Sequence, residues 1–300
     1  GGTNIIDLMR SGIESPDKLV DISRLPLGEI EKAGDGLRIG ALVSNSDMAA
    51  APQIRTHWPM LSEAILAGAS AQLRNRATTG GNLMQRPRCA YFYDLSMDCN
   101  KRLPGSGCSA MCGKNRMHAI LGASSSCIAV HPSDMAVAAM ALGAEVEIEA
   151  PGRQKRSVPI AQLYRLPDDS TDRETTLEPG ELITALKLPA PIGGAQCYRK
   201  VRDRASFAFA LVSLAAALDV RDGRIAEVRL AIGGVAPMPW RRIDAEALLI
   251  GEKPAHAVFE RAADVILAGA SGYGDNAFKI PLARSAIVGT LLELAKITDD

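Results

Sequence analysis

Between Arg74 and Val130 the sequence sets a Thr-Thr-Gly-Gly-Asn run, Thr78 to Asn82, beside five of the chain's six cysteines: Cys89, Cys99, Cys108, Cys112 and Cys127. A glycine pair followed by an amide side chain suits a phosphate, because glycine reaches dihedrals barred to other residues and leaves its N–H uncovered. A similar run opens the chain at Gly1-Gly2-Thr3-Asn4 and leads through Ile5 and Ile6 into a short helical stretch, with Thr3 or Asn4 as its cap. Five thiols in a segment poor in apolar residues are a ligand supply for a metal or an iron–sulfur cluster. One cofactor loop beside one cluster loop points to electron transfer.

The spacing leaves more than one chemistry open. Nine residues separate Cys89 from Cys99, eight separate Cys99 from Cys108, and eighteen separate Cys108 from Cys127, with Cys108 and Cys112 the only close pair. No two-residue spacing marks a zinc knuckle, although Cys108, Cys112 and His118 could supply zinc ligands. Disulfides are a second alternative in an exported chain, but they would crowd into one loop of a protein large enough for its own core. Arg86, Arg88, Lys101, Arg102, Lys114 and Arg116 face only Asp94 and Asp98 locally, which reads either as a solvated loop or as counter-charge to a cluster of thiolates. Cys197 falls in a strand pattern and reads as a core thiol, and His131 as a turn residue before a helix. No Ser-His-Asp or paired-carboxylate arrangement stands out, so nothing points to hydrolysis.

The elements that must carry these residues can be read from periodicity. At 300 residues the chain is long enough for two domains, or one with an insertion. With 34 basic and 34 acidic residues, no global field draws it to nucleic acid or a membrane surface. No run of about 18 uncharged apolar residues is present, so no spanning helix is expected. The start lacks the basic head and apolar stretch of a secretory signal, so export would depend on a partner that carries one. Glycine-rich cofactor loops normally follow a strand, and residues upstream of Gly1 are therefore expected.

Strands are predicted at Leu19 to Ile22, Leu37 to Leu42, Glu145 to Glu149 and Leu182 to Leu188. Helices are predicted at Asn45 to Ala51, at Met60 to Ala67, and after Ser133 to about Leu142. A linker at Pro189 to Gly194 divides the chain. Beyond it, strands at Tyr198 to Arg202, Phe207 to Val220 and Ile225 to Ile232 precede three helical patterns, with Asp222-Gly223 marking a hairpin. The expected class is α+β, with domains at 1–192 and 193–300.

Taken together, the residues resemble the FAD-binding medium subunits of the molybdenum hydroxylases, the group of xanthine dehydrogenases, carbon monoxide dehydrogenases and aldehyde oxidoreductases. The resemblance rests on Gly1 to Asp7, Thr78 to Asn82, His131-Pro132-Ser133-Asp134 and Lys200 to Ser206, and extends through Ala231 to Pro239 and Asn276-Ala277-Phe278-Lys279. It implies a two-subdomain FAD-binding domain of the vanillyl-alcohol-oxidase and CO-dehydrogenase flavoprotein type, followed by a C-terminal α+β domain. It also implies that Gly1, Gly2, Thr3, Asn4, Ile5 and Ile6 hold FAD together with Thr78, Gly80, Gly81 and Asn82, while Asp134, Ile183 and Lys200 approach the flavin.

The cysteine-bearing insertion, at about 85–127, is similar to that of the periplasmic aldehyde oxidoreductase branch, whose FAD subunit holds an additional 4Fe-4S cluster. By position the ligands would be Cys89, Cys99, Cys108 and Cys127, with Cys112 surplus or in place of Cys108. The resemblance further implies aldehyde oxidation at a molybdenum cofactor on a large partner subunit. Electrons would pass through 2Fe-2S centres on a small partner to FAD here, then to an external acceptor, in a periplasmic complex. The cluster's part is open between electron store, relay and clamp. A self-contained flavin oxidase and a cluster-bearing scaffold without flavin are the rival readings.

Overall fold

The computed structural model describes residues 1–167 and 171–296. It contains two antiparallel sheets. The first has five strands: β1 (Ile30–Ala33), β2 (Gly36–Gly40), β3 (Glu145–Glu149), β4 (Arg156–Pro159) and β5 (Leu182–Leu188), in the order β1-β2-β5-β3-β4. The second is a meander of β6 (Ala195–Val201), β7 (Val212–Arg221) and β8 (Arg224–Gly233). Helices pack on both, so the chain is of mixed α+β class.

The first sheet forms where apolar and polar residues alternate. Val146 and Ile148 of β3 are buried while Glu149 at its end is exposed. The expected bounds of β3 and β5 match the observed ones. The expected strand at Leu19 to Ile22 does not form: Leu19 and Val20 stand exposed with no ladder partner, and the sheet edge is the more polar β1. An apolar run without a neighbour to pair with leaves its backbone groups to solvent. The hairpin at Asp222-Gly223 joins β7 to β8, and both turn residues have positive φ, as a two-residue hairpin turn of the primed type requires.

One helix ties the sheets together. Asp134–Leu142 is capped by Ser133, whose Oγ accepts from the Ala136 N–H, and all nine of its residues are buried. On its far side it meets a face of small residues: Ala215 and Ala217 of β7 and Ala231 of β8 share its core. The alternate residues Leu214, Leu218, Leu230 and Ile232 point to a second core under helices His256–Ile266 and Lys279–Leu294. Period-two alternation thus lets one short sheet serve two cores, with alanines admitting the buried helix closely.

Candidate functional site

The two glycine segments lie side by side and do different things. In the first, Gly2 adopts φ +76°, a left-handed conformation that glycine reaches without cost, and helix Ile5–Arg10 follows. Asn4 sits at the cap position without capping; its Oδ1 instead accepts from the Arg86 N–H at 3.0 Å, tying this segment to the cysteine loop. Among the described residues, no acceptor within the chain takes the N–H groups of Gly2, Thr3, Asn4 or Ile5. These four donors can serve an anion.

The second segment differs from expectation. Thr78 caps a short helix, Thr79–Leu83, and the N–H groups are already used: Thr79 donates to Val43 O, Gly80 to Ala41 O, Gly81 to Thr78 Oγ1 and Asn82 to Thr78 O. Gly80 is small for packing, since a Cβ there would lie 3.2 Å from that of Ala41. What this segment presents is the open side of Gly81 and the Asn82 side chain. Asn82 is held by Ser133, whose Oγ donates to its Oδ1 at 2.5 Å, and by Gln85 Nε2 at 2.9 Å.

Three clefts merge along these residues. The first runs beside Gly1, Gly2 and Ile5, with Thr78 and Gly81 opposite. It shares Thr3, Asn4 and Gly81 with a second, which adds Asn45, Asn82 and Asp134. That one shares Arg88, Pro132, Asp134 and Phe209 with a third, a mostly apolar cavity of about 300 Å³ that reaches Cys89, His118 and Gly233. The three adjoining clefts of this channel become more apolar from the glycine end to the cysteine end, which suits a dinucleotide that ends in a flat aromatic ring. Two buried amide atoms in the channel have no partner, Asn4 Nδ2 and Asn45 Oδ1. A buried polar group without a hydrogen bond is costly, so a donor and an acceptor left open in one cleft fit a polar ligand such as FAD.

Behind the channel lies a buried ion pair. Lys200 Nζ on β6 meets Asp134 Oδ2 at 2.8 Å and donates to Ala67 O, while the Tyr198 hydroxyl donates to Asp134 Oδ1 at 2.6 Å. Burial, and then the neighbouring carboxylate, push the Tyr198 hydroxyl far above its ordinary range, so it stays a donor. Asp134 lines the channel, whereas Lys200 positions it from outside. Gly80 and Ile6 line none of these clefts, and Ile183 lies apart, a core residue of β5 opposite Ile148.

The cysteines gather at the other end. Cys89 sits at the N-cap position of helix Ala90–Tyr93 without a side-chain capping bond, Cys99 and Cys108 face each other across an antiparallel bridge, and Cys127 is buried in a turn with Ser124. Burial pushes the Cys89 thiol up to about 11, with Cys99 and Cys127 adding to the rise. Burial raises Cys127 as well; Lys101 opposes, and Cys108 and Cys99 add to it. Cys127 thus feels Cys99 and Cys108, Cys89 feels Cys99 and Cys127, and Cys112 stands exposed. No three His, Cys, Asp or Glu side chains among the described residues converge on a single metal ion. Of the residues that could supply zinc ligands, His118 meets Cys89 rather than Cys108 or Cys112, and Cys112 stands exposed.

The comparisons with known proteins agree with this geometry. Residues 1–191 match the FAD binding domain in molybdopterin dehydrogenase, and 196–294 the CO dehydrogenase flavoprotein C-terminal domain. The chain belongs to the FAD-binding medium subunits of the molybdenum hydroxylases. It is 51% identical to the aldehyde oxidoreductase FAD-binding subunit PaoB of Escherichia coli over 98% of this chain and 89% of that one. It is 24% identical to the carbon monoxide dehydrogenase medium chain of Hydrogenophaga pseudoflava, over 89% and 77% of the two chains. The fold is that of the solved carbon monoxide dehydrogenases from H. pseudoflava and Oligotropha carboxidovorans, with TM-scores of 0.74 and 0.75 at 24% and 21% identity. These cover 98% and 99% of this chain, and 87% and 88% of those.

In this medium subunit the local basic excess is mostly paired at long range. Arg86 meets Glu14 at 2.5 Å and Glu174 at 3.0 Å, Arg88 meets Asp7, Lys101 meets Glu174, and Arg116 meets Asp203. Arg102 donates to the carbonyls of Tyr91, Phe92, Asp94 and Met97. Asn45, Arg88 and Phe209 also line the channel, and sequence reasoning did not single them out as ligand contacts. Asn45 reads as a helix cap, and Arg88, whose guanidinium lies 5.7 Å from the Phe209 ring, as loop charge. No helix among the described residues is long and apolar enough to cross a membrane.

Proposed function

We propose that this chain is the FAD-binding electron-transfer subunit of a molybdenum-dependent aldehyde oxidoreductase, and that it carries a 4Fe-4S cluster beside the flavin. Its partners in the heterotrimeric complex are a molybdenum cofactor-binding large subunit and a 2Fe-2S small subunit. The carrying observation is the channel that starts at the free N–H groups of the first glycine segment and ends at Cys89. The similarity to an aldehyde oxidoreductase FAD-binding subunit over nearly the whole chain supports it.

In this reading residues 1–192 form the FAD domain and 193–300 the domain behind it. Gly2 to Ile5 supply N–H donors to the pyrophosphate with Gly1 lining the cleft beside them, Thr78 and Gly81 close its other side, and Asn82 and Asn4 donate from their side chains. Ile6 and Gly80 support from outside the channel, as do Lys200, which fixes Asp134, and Ile183, which packs the sheet beneath. When bound, FAD supplies the electron-carrying chemistry, taking up what aldehyde oxidation releases on the partner subunits and yielding it to an external acceptor. Cys89, Cys99, Cys108 and Cys127 hold the cluster as thiolates. Its assembly displaces protons from the two thiols that burial has raised. The complex works in the periplasm, on the likeness of the cysteine insertion to that branch, and fractionation of the native host tests this placement.

The function is tested by adding an aldehyde anaerobically to the assembled complex. The flavin absorbance is expected to bleach after the 2Fe-2S signals reduce. A complex whose molybdenum and 2Fe-2S centres reduce while bound flavin stays oxidised would contradict the proposal.

A further inference from the structure

His118 is a residue that the flavin and the cysteine ligand set leave without a task. Its Nε2 lies 3.1 Å from the Cys89 sulfur, and its Nδ1 is buried with no partner. A neutral imidazole carries one N–H; the ring meets the Cys89 sulfur at Nε2, and the Asn115 carbonyl is a second acceptor acting on it, so the choice of the Nε2–H tautomer belongs to the proposal. The ring also lines the apolar end of the channel together with Cys89, so it stands at the edge shared by cofactor cleft and cysteine group.

The backbone that carries the ring is held by a buried clamp from the C-terminal part of the chain. Lys279 and Asn276 are both fully buried. Lys279 Nζ donates to His118 O at 2.8 Å and to the carbonyls of Met117 and Gly234; Asn276 Nδ2 donates to Ala119 O at 2.9 Å and to His118 O. Asn115 continues the clamp, donating to Tyr273 O while its Oδ1 accepts from the Asp275 N–H. A buried lysine held only by carbonyls is a costly arrangement to keep for packing alone, and what it fixes here is the backbone that carries His118.

We propose that His118 donates an Nε2–H hydrogen bond to the Cys89 sulfur when that sulfur carries iron, and thereby holds the cluster's reduction potential above the value it would otherwise have. The inference rests on the cluster reading above. A donor to a ligand sulfur draws electron density from the cluster and stabilises its more negative, reduced form. The Phe92 N–H goes to the Cys89 carbonyl and not to its sulfur, so His118 is the side chain that meets this sulfur. His118 is a positioning residue: it touches a ligand, not iron, flavin or substrate.

The test is an EPR-monitored redox titration of the 4Fe-4S signal in the assembled complex, with iron and acid-labile sulfide assayed in parallel. His118→Leu is expected to keep its iron and shift the midpoint to a more negative potential. His118→Gln, which can offer an N–H to the same sulfur, is expected to return it toward the wild-type value. A Leu variant with full iron content and an unchanged midpoint would overturn the inference. Should the Leu variant lose iron, wild-type complex labelled with 15N-histidine decides: pulsed EPR is expected to show one weak nitrogen coupling. Absence of that coupling, or a coupling of directly ligated strength, would overturn it. A wild-type complex with no 4Fe-4S signal would instead overturn the cluster reading, and this inference with it.

Discussion

On the proposed reading Asn82 acts through its side chain at a point where the backbone around it is already committed, whereas around Asn4 the backbone N–H groups are free. In the second glycine segment the N–H groups are used within the chain, so the ligand must be met by the Asn82 amide and the open face of Gly81. Replacing Asn82 with Ala removes one hydrogen-bonding side chain and the contact to Ser133. FAD retention is expected to weaken roughly tenfold, the effect of about 1.4 kcal/mol, read as flavin fluorescence released on dialysis. The thiols give a second prediction at this scale. Thiolate is the reactive form, Cys89 is pushed up to about 11, and Cys112 is exposed. In cluster-free protein at mildly alkaline pH, iodoacetamide is expected to label Cys112 well before Cys89 or Cys127, as peptide mass mapping would show. Early labelling of Cys89 would place it in a different environment from the one described.

At the scale of elements, strand β6 and helix Asp134–Leu142 are joined through the Lys200–Asp134 pair. Lys200→Met would leave a buried carboxylate with Tyr198 as its remaining side-chain partner. It is expected to destabilise the chain by about 3–5 kcal/mol, measured as a lowered urea midpoint; an unchanged midpoint would show that the pair does not join them. The elements themselves were legible where a periodic pattern met its own partner: β3, β5, the Ser133 cap and the Asp222-Gly223 hairpin lie where alternation and turn chemistry put them. Leu19 to Ile22 has the composition of a strand but no edge to join, and the polar β1 is a strand only because β2 lies beside it. The site was legible as far as local signals reach. Both glycine segments and the five-thiol loop show in residue type and spacing, the choice of four ligands coming only from the family resemblance, whereas the partners of Arg86 and Arg88 come from Glu14, Glu174 and Asp7, brought close only by folding. Asn45 and Phe209 carry no signal of this kind, because their role is set by where the channel runs.

For the whole molecule, the wholly buried His131 couples stability to acid. Burial lowers it from 6.5 to about 4, with Lys101 adding and the Leu83 carbonyl opposing. Between about pH 4 and 6.5 the unfolded chain binds this proton and the folded chain does not, so stability falls as pH drops through that window. The loss is on the order of 3 kcal/mol, and urea midpoints measured across the window check it. His131→Phe is expected to flatten that limb; a limb unchanged in the variant would assign the acid loss elsewhere. On the proposed reading one chain holds two cofactors, with FAD along the clefts that begin at a glycine segment and a cluster at the cysteine insertion where they end. That shared end is the central claim, and it is tested most directly by isolating the complex anaerobically and assaying FAD, iron and acid-labile sulfide. The account predicts FAD plus about four irons beyond those of the partners, with those irons lost and FAD retained in Cys99→Ser. A complex without FAD, or with the same iron and sulfide in the variant, would contradict it.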